Sequence, residues 1–208
     1  IAGPGTAVAC TATVDGQPRA IVVDLEFALG RILSEGLDLL ETVTLSANGR
    51  RVVYRAEDHG LPNYYLVDVD RRRRFNVTSG QTDGSATAAD LAQHGDTMVF
   101  VSRFGGAQGL FVADVNARKV LNVCGFFQPL GDVQISATGT RIAFLKGGVS
   151  EEVAVWDTEG KGALEVTTVV GDFASMALTS DGRVLALLTH TSSAPASLLE
   201  LHPLPPRE

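Results

Sequence analysis

The chain is poor in cysteine, with Cys10 and Cys124 its only two in 208 residues. Two thiols cannot make the disulfide framework that holds a small secreted scaffold together. Long apolar runs are also missing. No stretch approaches the roughly 20 residues of a membrane-spanning helix, so no membrane insertion is expected. The chain opens on Ile1, with no initiator Met and no signal peptide, so the sequence carries no address from which a compartment could be read. Basic residues are in the minority, 17 against 24 acids for a net charge of −7, which disfavours non-specific nucleic-acid binding. Helical periodicity is almost absent. Only Ala28–Leu40 has the spacing, and its Gly30 and Gly36 argue against a helix.

Catalytic motifs are missing as well. The G-x-S-x-G elbow that exposes a hydrolase serine does not occur. The nearest segments, Gly147-Gly-Val-Ser150 and Ser79-Gly-Gln, lack the flanking glycines and read as serines in polar loops. His59, His94, His190 and His202 show no H-x-x-H or H-E-x-x-H spacing. A zinc site needs three or four convergent ligands, so none is expected, and no cofactor is implied. Asn76-Val77-Thr78 fits a glycosylation sequon that is common by chance.

What the chain does have is a repeat. Val43 to Asp70 reads strand, tight turn, strand, loop, strand, with Val43, Leu45, Val52, Tyr54, Tyr65 and Val67 on alternate positions. Ala47-Asn48-Gly49 supplies the turn, since Asn and Gly accept the positive φ of a tight hairpin. The acids Asp24, Asp68, Asp114, Asp157 and Glu200 follow at intervals of 44, 46, 43 and 43 residues. The turn glycines Gly5, Gly49, Gly95, Gly139 and Gly182 keep step at 44, 46, 44 and 43. A period in the forties with about four strands per unit is the pattern of a β-propeller blade.

The fold class expected is therefore all-β, a propeller of about five four-stranded blades at 1–40, 41–86, 87–130, 131–172 and 173–202, with 203–208 an exit tail or linker. Naming the strands a (innermost) to d (outermost), the first unit begins at its a–b turn and lacks strand a. The fifth runs into Pro203-Leu-Pro-Pro206, a poor strand d because proline removes ladder donors. Two closures fit this count: a five-blade ring with an irregular seam, which is favoured and implies a monomer, or an arc of a larger propeller. Cys10 and Cys124 fall two blades apart and are expected to be unpaired. Tyr54, Phe100 and Phe144 share one register position on strand b and are expected in the core.

Ser46-Ala-Asn-Gly49-Arg-Arg-Val-Val-Tyr54, Ser136-Ala-Thr-Gly139-Thr-Arg-Ile-Ala-Phe144 and Thr179-Ser-Asp-Gly182-Arg-Val-Leu-Ala186 resemble the turn and strand of TolB-like propeller repeats. YLVDV, FVADV and VAVWD resemble that repeat's third strand. The Trp156-Asp157 pair is similar to a WD repeat, but no unit carries the upstream Gly-His of that family. The Pro-x-Trp usual before the turn serine is absent, with Val43-Thr-Leu45, Val133-Gln-Ile135 and Met176-Ala-Leu178 in its place. The same repeats build the propellers of prolyl oligopeptidase-family serine peptidases. The last unit is similar to the final blade of their acylaminoacyl-peptidase branch. The resemblance implies a fold more than a function.

Some propeller glycosidases aim paired carboxylates into the channel from strands a. Here those strands are VTLS, ADLA, VQIS and SMALT, and only Asp90 supplies an acid. The acids of strand c read instead as partners of turn backbone. Charge is sorted by face. The a–b and c–d turns (bottom) collect most arginines, Arg71–Arg74 among them, offset by neighbouring acids. The b–c and d–a loops (top) collect acids, including Asp15, Glu35, Asp38, Asp90 and Asp172, against few cations. An acidic rim attracts cationic ligands, and aromatics among it suit a protein surface. The candidate binding residues are His59, Asp58, Asp83, Arg103, Phe104, Phe126, Phe127 and Asp132. The expected function is a non-catalytic propeller binding a protein or peptide with a cationic group on its acidic top face. The alternative is the substrate-gating propeller of a prolyl oligopeptidase-family peptidase whose hydrolase domain is absent from this chain.

Overall fold

The computed structural model describes residues 6–39, 43–78, 88–124, 130–146, 152–158, 162–169, 172–190 and 197–205. The first sheet holds β1 (Ala7–Val14), β2 (Gln17–Asp24) and β3 (Leu29–Ile32). The second holds β4 (Asp38–Leu39) and β5 (Thr44–Leu45), both paired to β6 (Arg51–Asp58), then β7 (Leu61–Asp68) and β8 (Arg73–Asn76). The third is β9 (Ala88–Leu91), β10 (Thr97–Phe104), β11 (Ala107–Asp114) and β12 (Lys119–Cys124). The fourth is β13 (Leu130–Ile135), β14 (Arg141–Lys146), β15 (Glu152–Asp157) and β16 (Gly162–Thr168). The fifth has β17 (Asp172–Leu178), β18 (Val184–His190) and β19 (Ser197–Pro203). Every pairing is antiparallel and, apart from β4 with β6, joins consecutive strands; the described part of Ala28–Leu40 contains no helix.

The a–b turn is built the same way in successive blades. The N–H groups of Gly49, Gly95, Gly139 and Gly182 donate to the carbonyls of Ser46, Ala92, Ser136 and Thr179 at 2.8–2.9 Å. Each glycine has φ between 68° and 74°, a region L-residues avoid. Ser46, Ser136 and Thr179 add a hydroxyl that accepts the N–H five residues on, from Arg51, Arg141 and Val184. The glycine also lets blades interlock. A Cβ on Gly95, Gly139 or Gly182 would meet the side chain of Arg51, Thr97 or Arg141 in the preceding blade. Beside the a–b turn, at the end of strand c, Asp24, Asp68 and Asp114 accept backbone N–H groups from Glu26 and Phe27, Arg71, and Ala117. Those acids hold the c–d turns, as expected.

Apolar side chains on the two faces of each sheet go to different neighbours. Val52 and Tyr54 pack toward the first blade while Val53 faces the third; Met98 and Phe100 face the second while Val99 and Val101 face the fourth. The four core clusters join blades 1–2, 2–3, 3–4 and 4–5. Tyr54, Phe100 and Phe144 sit in these cores at 2% exposure or less. Among the described residues no cluster joins blade 5 to blade 1, as a closed five-blade ring requires. Among the described residues the five blades are joined in series from the first to the fifth. Cys10 is a free thiol, and the Cys124 side chain lies outside the described part.

Two sequence expectations are corrected at the fifth blade. Glu200 does not hold the position of Asp68 and Asp157. Arg51 pairs with Asp68 and Arg141 with Asp157, whereas the matching Val184 pairs with Pro203, and Glu200 lies mid-strand opposite Leu187. A lone acid in an apolar strand marks register weakly; the partner strand sets it. The exit tail also starts later than 203. Pro203 ends β19, Leu204 joins the blade 4–5 core, and its N–H donates to Arg183 at 2.7 Å. Arg141 then holds the Pro205 carbonyl.

Candidate binding face

The top of the blade 1–2 side carries Asp58 and His59. β6 ends at Asp58 and the chain reverses through His59, which adopts φ 51°. The His59 Nε2 lies 3.6 Å from Asp58 Oδ1, and its imidazole is almost wholly exposed. The other Asp58 oxygen accepts the Tyr65 hydroxyl at 3.2 Å. Tyr65 stacks on Tyr54 with ring centroids 5.7 Å apart, and Tyr54 donates to the Leu33 carbonyl of blade 1 at 2.8 Å. The Arg74 guanidinium lies over the Tyr65 ring, 5.5 Å from its centroid, and donates to the Glu35 carbonyl at 2.9 Å. Burial, then the charge of Asp58, pushes the Tyr65 hydroxyl up to about 12. Burial also raises Tyr54. Both phenols therefore stay protonated donors at neutral pH.

Of the remaining candidates, Arg103 and Asp132 lie on the third and fourth blades. Arg103 is exposed near the end of β10, which Phe104 closes. Asp132 is exposed on β13 and its Oδ1 accepts the Val133 N–H at 3.0 Å. Asp83, Phe126 and Phe127 lie outside the described residues. Sequence reasoning missed Tyr65 and Arg74. Tyr65 read as an ordinary core strand residue, and Arg74 as part of a solvated bottom turn. Arg74 instead extends from β8 to the loop of the neighbouring blade, a contact that only the packing of blade 1 on blade 2 creates. Asp90 was grouped with the rim acids, but its half-buried carboxylate accepts N–H groups from Leu91 and Ile135. Burial raises its pKa, with those bonds opposing and Asp132 assisting.

On the top face, Arg19 and Lys146 are drawn into internal contacts while Arg103 is exposed. Arg19 donates to the Leu37 and Ser34 carbonyls, and Lys146 pairs with Glu152 at 3.1 Å. Asp15, Glu35, Asp38, Asp132 and Asp172 are exposed. The bottom face differs. A cleft of about 560 Å³ between blades 1 and 2 is lined by Arg31, Arg50, Arg72, Asp24, Glu26 and Asp70, among others, with Arg50 and Asp70 3.6 Å apart. Its charges balance locally, which leaves little field for a ligand of either sign. Among the described residues no three His, Cys, Asp or Glu side chains are placed to hold a metal.

No family model and no curated protein matches the sequence. Solved structures do. TolB from Acinetobacter baumannii matches at 19% identity and TM-score 0.64, over 97% of this chain and 50% of that one. An oligogalacturonate lyase in complex with manganese matches at 15% and TM-score 0.72, over 98% of this chain and 61% of the other. The β-propeller domain of the Trilobed protease from Pyrococcus furiosus, described as having an open velcro topology, matches at 10% and TM-score 0.69, over 96% and 66%. This chain thus spans half to two-thirds of the length of these proteins. At such identities the likeness shows the fold: the chain is an all-β propeller, similar in fold to TolB.

Proposed function

We propose that this chain is a non-catalytic propeller that binds a protein or peptide carrying a cationic group on its acidic top face. The observation that carries this reading is the uneven use of charge there. Arg19 and Lys146 are committed to carbonyls and to Glu152, while Asp15, Glu35, Asp38, Asp132 and Asp172 face water. Like-signed groups around a concave rim sum their fields and draw in the opposite charge. The stacked Tyr54–Tyr65 pair under Arg74 gives the rim a rigid floor on one side. Fluorescence anisotropy with labelled oligolysine and oligoglutamate tests the idea. Oligolysine should bind in a salt-sensitive way, and more weakly to an Asp38→Asn, Asp132→Asn variant. Equal binding of both peptides, or a preference for oligoglutamate, would overturn it.

A second reading is supported by the likeness to a protease's propeller domain: the chain gates substrate for a serine peptidase domain carried on the same polypeptide. Its test is separate. The native gene would encode a G-x-S-x-G hydrolase domain in frame with this propeller, and a gene lacking one would exclude the reading.

A further inference from the structure

The c–d turns of the first three blades share one backbone and differ in what their side chains meet. Ala28, Arg72 and Arg118 occupy the same turn position after Asp24, Asp68 and Asp114, with φ of 53°, 54° and 53°. The outer strands facing them carry the variation. Arg31 on β3 pairs with Val22, and Phe75 on β8 holds the matching place opposite Leu66. Arg31 crosses to blade 2 and donates to the Val69 carbonyl at 2.9 Å, so a polar bond ties the crevice between blades 1 and 2. Phe75 has no donor for such a bond. Between blades 2 and 3 lies a cavity of about 200 Å³, lined by Phe75, Val77, Val120, Asp114, Arg118 and Lys119, among others.

Phe75, Val77 and Val120 are half-buried and form the outer edge of the blade 2–3 core. Arg118 of blade 3 places its guanidinium over the Phe75 ring of blade 2, 4.7 Å from the centroid. The ring attracts the charge but offers no oxygen to accept the N–H groups. Among the described residues, neither the Arg118 nor the Lys119 side chain forms a hydrogen bond or an ion pair. The single acid on the lining is Asp114, whose Oδ1 accepts the Ala117 N–H at 2.8 Å. An apolar wall thus meets a surplus of positive charge, the reverse of the acidic top rim. A guanidinium with its donors free is suited to two-point binding of a carboxylate.

We infer that this cavity binds a small organic acid, its carboxylate on Arg118 and its aromatic or branched aliphatic body against Phe75, Val77 and Val120. The volume falls below the roughly 300–1,000 Å³ of sites that enclose a drug-sized ligand, which limits the occupant to a small molecule. The probe is phenylbutyrate, compared with phenylbutyramide and acetate in amide-resolved NMR titrations. Phenylbutyrate should bind saturably with a Kd on the order of 1 mM. It should shift the amides of Val77 and Val120 and leave those of the top face unmoved. Phenylbutyramide lacks the charge and acetate lacks the body, so each should bind about tenfold more weakly. Arg118 and Lys119 are exposed, so Arg118→Gln and Lys119→Glu should keep the wild-type spectrum elsewhere and bind phenylbutyrate more weakly. Phenylbutyramide binding as tightly as phenylbutyrate, or undiminished affinity in either variant, would overturn the inference. So would shifts confined to another part of the chain, or the absence of saturable binding.

Discussion

The Asp90 carboxylate on the innermost strand of blade 3 accepts the Ile135 N–H of blade 4 at 2.8 Å, so an inner-strand amide is satisfied by the neighbouring sheet rather than by its own. The other oxygen takes the Leu91 N–H at 2.8 Å. Asp90→Ala should cost about 1–3 kcal/mol, because two partly buried donors lose their acceptor. The pH dependence adds a sign. Burial raises the Asp90 pKa above its ordinary 3.8, so the native state holds a proton that the unfolded chain has released. This contribution is present below that value and is lost as pH rises through the native pKa. Asp90→Asn, which keeps one acceptor and never ionises, should lack that fall. Urea titrations between pH 3 and 7 check it, and parallel curves for the two proteins would refute the assignment.

Gly95 has φ +72°, and a Cβ there would lie 2.5 Å from Arg51 Cγ and 2.6 Å from Arg51 Cβ. Gly60 has φ +80° and nothing within 4 Å. Gly60→Ala should therefore show only the left-handed backbone cost of about 1–2 kcal/mol. Gly95→Ala should cost more, since the root of the Arg51 side chain cannot swing aside as its tip could. Comparing the urea midpoints of the two variants isolates the seat between blades. Equal losses would mean that the turn glycine serves only its own backbone.

Tyr65 predicts an alkaline limit. Its hydroxyl is pushed from an ordinary 10.0 up to about 12 by burial and by Asp58. Unfolding releases that proton between the two values, so stability is present below pH 10 and is lost as pH climbs toward 12. Tyr65→Phe should unfold less steeply over that interval while losing the bond to Asp58. Thermal melts at stepped alkaline pH would show it, and an unchanged slope would place the transition on another group.

The parts of this molecule that repeat were legible in the sequence, and the parts made between repeats were not. Gly95, Gly139 and Gly182 stood out because each blade needs the same positive-φ turn, and Phe100 because each sheet is covered on both sides. Asp24, Asp68 and Asp114 were rightly read as partners of turn backbone, a local contact. Asp90 and Arg74 act across blades, on an Ile135 amide 45 residues on and a Glu35 carbonyl 39 residues back. No spacing within one unit encodes those partners. Glu200 misled for a related reason: it matched the period while its strand was set by pairing with β18, which placed Pro203 at the turn position instead.

Arg141 tests whether the tail belongs to the fold. Its side chain is buried between blades 4 and 5, donates to the Gly182 carbonyl at 2.8 Å, and holds the Pro205 carbonyl. Pro203 cannot donate to a ladder, so beyond it the chain is tied down by the Leu204 amide, the Leu204 side chain and this guanidinium. Arg141→Met keeps much of the apolar stem and removes both charge-assisted bonds, each worth about 1.5–3 kcal/mol. The Leu204 amide should then exchange with deuterium much faster, with a smaller change at amides in the blade 2–3 core such as Phe100. That difference identifies local release rather than global loss of stability. Equal acceleration at Leu204 and Phe100 would show instead that Arg141 supports the whole fold and that the tail has no separate anchor.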